Sequence, residues 1–261
     1  MLRAAAVTGA LVCVLLAGCT GTADGEDEEL SLDPPEPGAC RALEPEDVGA
    51  SSDDSPTVPC TQAHTAETFL VAALEPPLAD VGRDDPRLAQ DAYRRCSRGF
   101  RKLTGADDSL ALRTVLSWAW FRPSEEQWEA GARWYRCDVV GGTEESASLV
   151  GLPRTAEGVL LGIPADRWMA CVDDEEVVGA VPVPCSEPHG WRAATTIVVG
   201  KEGDPYPGDR VVEVLSRDYC SDSVGAWLHY PLDYEYAYTW FGEAEWDAGN
   251  RRSVCWARTD Q

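Results

Sequence analysis

Apolar and polar positions follow two rhythms along this chain, and the same succession of rhythms occurs twice. Residues 65–74 are rich in apolar and β-branched side chains and stop at Pro76-Pro77, which reads as a strand with its end. Behind Asp85-Pro86, an N-cap followed by a first-turn proline, Leu88, Ala92, Cys96, Phe100 and Leu103 recur at helical spacing until Gly105. Residues 110–121 and 134–140 then read as two further strands. In the second round residues 193–199 predict a strand, 209–228 a helix with Val212, Cys220, Val224 and Trp227 on its buried face, and 234–241 and 253–257 two more strands. A short cysteine-bearing segment precedes each round. One long helix against a small, mostly antiparallel sheet is an α+β unit, so the pattern predicts two tandem α+β domains.

The cysteines fall into the same register. Cys40, Cys60, Cys96 and Cys137 match Cys171, Cys185, Cys220 and Cys255, with the third lying 36 residues after the second in one set and 35 in the other. Val58-Pro59-Cys60 leads to His64 as Val183-Pro184-Cys185 leads to His189, and the fourth cysteines follow Trp128-Glu129-Ala130-Gly131-Ala132-Arg133 and Trp246-Asp247-Ala248-Gly249-Asn250-Arg251. Aromatic doublets, Trp118-Ala119-Trp120-Phe121 and Tyr238-Thr239-Trp240-Phe241, are aligned upstream. A repeat of roughly 100 residues is long enough to carry its own core.

The N-terminal end changes the cysteine arithmetic. Arg3 precedes an apolar run of about 15 residues, short of the roughly 20 a membrane span needs. The run ends in Leu16-Ala17-Gly18-Cys19, which resembles a bacterial lipobox and implies cleavage behind Gly18 and acylation of the Cys19 thiol. The chain therefore divides into a signal peptide at 1–18, an acidic, proline-rich tether expected to be disordered at 19–37, one copy at 38–140, a linker at 141–165 and a second copy at 166–261. With Cys13 lost in the leader and Cys19 given to lipid, eight cysteines remain in an exported chain, the number for four disulfides. Pairing within each copy leaves three arrangements per copy. Joining first with second and third with fourth is favoured, because each bridge then brackets a compact piece.

The formal net charge is −23, and loss of Arg3 with the leader makes it −24. Such a balance argues against nucleic acid or anionic lipid as a partner. Only two of the 22 basic residues are lysines, a bias that, with the lipobox, points to an actinobacterium. Neither a Gly-x-Ser-x-Gly elbow nor a Gly-rich phosphate loop occurs, and no cofactor is implied. His64 and Glu67 make one candidate acid and base pair, but the second copy has His189 with Arg192. Each histidine is instead expected to fix the turn after its disulfide through a backbone bond, with a binding or pH-sensing role for the pair as the alternative. No metal is called for, since the cysteines are better used in disulfides than as zinc ligands. The carboxylates Glu125, Glu126, Glu129, Glu243, Glu245 and Asp247 beside the tryptophan phrases are candidates for a glycosidase pair. Trp118, Trp120, Trp128, Trp134, Trp240 and Trp246 offer a stacking platform for a sugar or a protein; core is the competing expectation for Trp120, Trp128, Trp240 and Trp246. The glycines of the two phrases predict a tight turn, and Arg133 and Arg251 are expected to hold carboxylates across it.

The ordered phrases, Val-Pro-Cys-x3-His, a helix cysteine, an aromatic strand and Trp-x-Ala-Gly-x-Arg-x3-Cys, resemble the septum formation domain family of actinobacteria over both copies. Its most specific phrase stands in the second copy as Cys185-Ser186-Glu187-Pro188-His189, whereas the first copy has Ala63 in place of the proline. Glu67 resembles the family's acidic residue after the histidine. The resemblance implies an extracytoplasmic, membrane-associated protein linked to cell division or envelope assembly. The function expected is thus that of a non-enzymatic lipoprotein, lipid-anchored on the outer face of the cell membrane, which binds a protein or cell-wall partner. A wall-acting hydrolase using the carboxylates of the tryptophan phrases is the alternative.

Overall fold

A computed structural model describes residues 30–259. The signal, Cys13, the lipobox cysteine Cys19 and most of the acidic tether lie outside the described residues. The elements, in chain order, are β1 (Cys40–Arg41), α1 (Pro45–Val48), β2 (Ala66–Ala73), α2 (Pro86–Thr104), β3 (Ser117–Phe121), α3 (Glu125–Glu129) and β4 (Trp134–Val140). The second series is β5 (Ala170–Val172), β6 (Val183–Pro184), β7 (Trp191–Val198), α4 (Asp209–Trp227), β8 (Tyr236–Thr239), α5 (Glu243–Ala248) and β9 (Arg252–Arg258).

The long helices form for reasons visible locally. The Asp85 side chain accepts from Arg87 N–H at 2.9 Å, Pro86 needs no donor in the first turn, and the helix ends at Gly105, whose left-handed φ of 78° lets its N–H return to Arg101 C=O. Leu88, Ala92, Cys96, Phe100 and Thr104 make its buried row. In α4 the buried row is Val212, Ser216, Cys220 and Val224, and the Ser216 hydroxyl is satisfied by Val212 C=O and Ser253 Oγ. Trp227, expected on that face, is 40% exposed. The i+4 row ends at Val224, and the last turn carries Trp227 off the sheet.

Two wholly antiparallel sheets result, ordered β1-β2-β4-β3 and β6-β5-β7-β9-β8. Both place the strand of the fourth cysteine centrally, and both central pairs carry a register shift one strand position away from the cysteine pair. Val58 bridges Cys40 where β6 pairs with β5. The four disulfides are Cys40–Cys60, Cys96–Cys137, Cys171–Cys185 and Cys220–Cys255. In each sheet the third-to-fourth bridge pins the long helix to the central strand.

The two sheets do not stand apart: they lie in one compact unit, Leu32–Gln261. Residues 110–116, expected as the start of a strand, are the joint. Leu110–Leu112 is a turn of 3-10 helix, and Thr114 then bridges Met169, with Val115 N–H donating to Trp168 C=O and Ala170 N–H to Arg113 C=O. Val115 enters the apolar cluster of Ala170, Val172, Trp191, Ala193 and Trp256, and Trp168 enters the cluster of Phe100, Leu116 and Val139. Residues 141–165 also pack inward, Leu152, Ala156 and Leu160 being buried with Phe100. At the start of the described chain Leu32 C=O accepts from Trp134 Nε1, so the end of the predicted tether is held on the fold.

The aromatic doublets are not equivalent as aligned. Trp120 faces Cys137 and Tyr238 faces Cys255, so Trp118 and Trp120 correspond to Tyr236 and Tyr238. Trp240 lies beyond β8 and is 37% exposed. Two fewer residues separate the aromatic run from its tryptophan phrase in the second copy, which shifts the aromatic match out of ladder register.

Candidate functional site

His64, His189, Glu67, Trp128 and Trp246, singled out by the sequence, serve the fold together with the arginines they meet or match. His64 and His189 are buried, and in each the Nδ1 lies 2.8 Å from the carbonyl two residues earlier, of Gln62 and Glu187. A carbonyl only accepts, so Nδ1 carries the proton and closes the turn; Nε2 is buried with no partner in either ring. His189 also has a ring nitrogen within 4.8 Å of the sulfurs of Cys171 and Cys185, but those sulfurs are joined to each other and offer no thiolate. Glu67 is buried and accepts from Ala156 N–H at 2.6 Å and Thr155 Oγ1 at 3.1 Å. Its counterpart Arg192 pairs with Asp166 at 2.7 Å. The two unlike residues do one kind of work: each ties its second strand to the 141–166 stretch.

Trp128 and Trp246 are buried, and each carries an arginine over its ring, Arg133 at 4.4 Å and Arg251 at 3.7 Å. The arginines hold carbonyls rather than the carboxylates expected. Arg133 donates to Ala79, Trp128 and Ala132 C=O, and Arg251 to Lys201, Trp246 and Asn250 C=O. Trp128 and Trp246 sit in the last turns of α3 and α5; their carbonyls accept from Gly131 and Gly249 N–H at 3.1 and 3.0 Å, and each C-cap gains a second donor in the stacked guanidinium. Gly131 and Gly249, at φ 108° and 113°, make the turn that brings it back. Trp134 is buried as well, which removes a shared platform.

The back of the first sheet holds a charge network the sequence did not signal. Arg136 pairs with Asp138 at 3.0 Å and with Asp53, Arg41 stands 4.0 Å from Asp138 and 3.9 Å from Asp53, and Arg41 Nη1 donates to Thr68 Oγ1 at 2.9 Å. Burial pushes the Asp138 carboxyl up against the opposing pull of Arg136. For Asp53 burial acts the same way, but hydrogen bonds from Ser55 and Arg136 outweigh it and hold the carboxyl low.

Among the described residues, a cleft at the joint and an edge of the second sheet are open to a ligand. A cleft of about 510 Å³ at the joint is lined by Gly141, Ser146, Leu149, Val150, Val183 and Glu187, with Arg167 on its rim stacked on Trp168 at 4.0 Å. The second is the outer edge of β8. Arg258 N–H donates to Glu235 C=O, so ladder parity turns the backbone groups of Tyr236 and Tyr238 away from β9. The opposite edge, β6, is blunted by Pro182 and Pro184, whereas β8 has no such guard. Around it Tyr230 is 72% and Leu232 102% exposed, with Trp227 and Trp240 nearby in sequence and also exposed. Tyr230 follows His229, and both adopt left-handed backbone, φ 65° and 54°, at a cost of about 1–2 kcal/mol per residue. That kink directs large apolar side chains into water, the opposite of what folding alone favours. Among the described residues no helix is long and apolar enough to cross a membrane.

A sequence-family model described as septum formation matches residues 84–255, well over half of the chain. No curated protein and no solved structure matches it.

Proposed function

The chain belongs to the septum formation family, and on that premise we propose that it is an extracytoplasmic lipoprotein, anchored through Cys19, whose two sheet-and-helix copies bind a partner during division or envelope assembly. The observation that carries the binding reading is the unguarded β8 edge beside the kinked, apolar 229–232 loop. A free strand edge supplies backbone donors and acceptors to an extended partner segment, and flanking aromatics supply the desolvated anchors. The reading is non-enzymatic because the candidate histidines, Glu67 and the tryptophan phrases hold turns, linker and helix ends. Glu245 caps Gly242 N–H, and Glu125, Glu126, Glu129, Glu243 and Asp247 are exposed on short helices.

The test is imaging of a tagged full chain beside the double variant Tyr230→Asp, Leu232→Asp. Both positions are exposed, so the variant should keep its melting temperature. Enrichment at the septum in the parent and its loss in the variant is the expected result. An even distribution of the parent around the envelope, with normal septa in a deletion strain, overturns the septal reading; an enriched variant overturns the β8 site.

A further inference from the structure

Helix α2 has a charge the rest of the molecule lacks. Arg87, Arg94, Arg95, Arg98, Arg101 and Lys102 stand against Asp91 alone within its 19 residues, in a chain whose net charge is −23. The buried row Leu88, Ala92, Cys96, Phe100 and Thr104 turns Arg94, Arg98 and Lys102 away from the sheet, while Arg95 on one flank lies over the Tyr135 ring at 5.7 Å and Arg101 on the other is half-buried. Arg94, Arg98 and Lys102 follow one another at four-residue steps, about 6 Å apart along the axis. Arg87 pairs with Asp85, Arg94 and Arg95 share Asp91, and Arg101 pairs with Asp108. Arg98 and Lys102 have no ion pair among the described residues, and both are exposed.

The fold does not require this stripe. Helix α4 has the same 19 residues, the same place in its sheet and the equivalent disulfide, yet it carries Arg210 and Arg217 against Asp209, Glu213, Asp218 and Asp222. Like charges at four-residue spacing cost α2 a few tenths of a kcal/mol per pair, a cost with no structural return in the second copy.

We propose that the exposed face of α2 is a docking surface for a linear, phosphate-bearing polyanion of the cell envelope. Net charge does not oppose this, because fields are screened within about 8 Å at physiological ionic strength. A narrow polymer lying along the helix can follow the row of Arg94, Arg98 and Lys102, with the acidic helix α5 packed to one side on the Tyr93 flank of α2. A flat anionic bilayer also meets Asp84, Asp107 and Asp108 beyond the helix ends and the acidic remainder of the chain. Five of the six cations are arginines, whose planar fork takes two phosphate oxygens at once. The stripe itself carries no aromatic residue of the kind that stacks bases in single-stranded nucleic-acid sites. The partner is therefore read by its backbone charge.

Titration of the full chain with linear inorganic polyphosphate at several salt concentrations tests the inference. With four phosphates neutralised, the slope of log K against log salt should be about −3. Arg98→Glu with Lys102→Glu should weaken binding at least ~10-fold and flatten the slope, since two of about four contacts are reversed. Arg210→Glu with Arg217→Glu, the same charge change on α4, should leave binding intact. Absence of binding by the parent, equal losses from the two pairs, or tighter binding to phosphatidylglycerol vesicles than to the polymer each overturn it. The inference shares with the septal reading only the premise that the chain faces the envelope. Failed polymer binding with septal enrichment intact sinks the α2 surface alone, and diffuse localisation with intact polymer binding sinks the septal role alone.

Discussion

Replacing Arg136 by valine, the residue the second copy has at this place as Val254, isolates the cost of a buried charge. Arg136 is the closest counter-ion to Asp138, which is fully buried, and to Asp53, with Arg41 about an ångström farther from Asp138 than Arg136 is. Removing it leaves two carboxylates against one guanidinium and deprives Asp53 C=O of a donor and Phe121 of a stacked cation. Breaking a buried pair in this way costs about 3–5 kcal/mol. For a body of this size each kcal/mol moves the melting temperature by about 2–4 °C, so scanning calorimetry should find Tm lowered by about 6–20 °C. The pH dependence is the sharper check. Burial already holds the Asp138 carboxyl above its usual range, and loss of Arg136 raises it further. For an acid whose folded pKa is raised, the native state keeps a proton that the unfolded chain has released, so stability is lost as pH rises from the ordinary carboxylate value near 3.9 through the folded value. The deficit of Arg136→Val should therefore shrink at about pH 5 relative to about pH 8. A loss under about 1 kcal/mol, or one equal at both pH values, would refute the account of a strained buried network.

The same geometry fixes several other outcomes. Trp246→Ala should cost about 3–5 kcal/mol in urea unfolding, while Arg251→Lys, which keeps the charge but loses the planar fork and much of the stack, should cost about 1–2 kcal/mol. Removing Cys96–Cys137, which spans 41 residues, should destabilise by about 4 kcal/mol, against about 3 for Cys171–Cys185, which spans 14; the reverse order would argue against loop entropy as the source. Asp85 is held at about 2, first by the Arg87 side chain and then by its N–H. A depressed acid contributes stability present above its unfolded pKa and lost as pH falls through the folded one, so the Tm difference between the parent and Asp85→Ala should vanish on acidification towards pH 2. Glu67→Gln keeps one acceptor for Ala156 N–H and should lose about 1 kcal/mol, whereas Glu67→Ala, which leaves that buried donor bare, should lose about 1–3 kcal/mol by thermal melting.

Taken alone, the sequence determined what short-range physics decides. Helix α2 follows from Asp85-Pro86, the i+4 apolar row and Gly105, all within one stretch of chain. Likewise β2, β4 and α4 follow from periodicity, and the spacing of the cysteines restricts bridges to short, closed pieces. Its silence begins where a residue's role depends on a partner brought close by folding. Nothing local distinguishes 110–116 from the start of β3; it becomes the joint because Thr114 bridges Met169, just ahead of β5, with Val115 N–H and Ala170 N–H closing backbone bonds across it. The two aromatic doublets look alike by composition, but only ladder pairing with Cys137 and Cys255 shows that Trp120 matches Tyr238. Arg133 and Arg251 meet helix-end carbonyls instead of carboxylates because each turn closes back onto its own helix. Arg41 and Asp53 are far from Arg136 and Asp138 in sequence, and only the sheet's back face joins the four. The basic stripe of α2 needed both levels: its cations are plain in the sequence, but the common outward face of Arg94, Arg98 and Lys102, and its absence from α4, depend on which side of each helix the sheet covers.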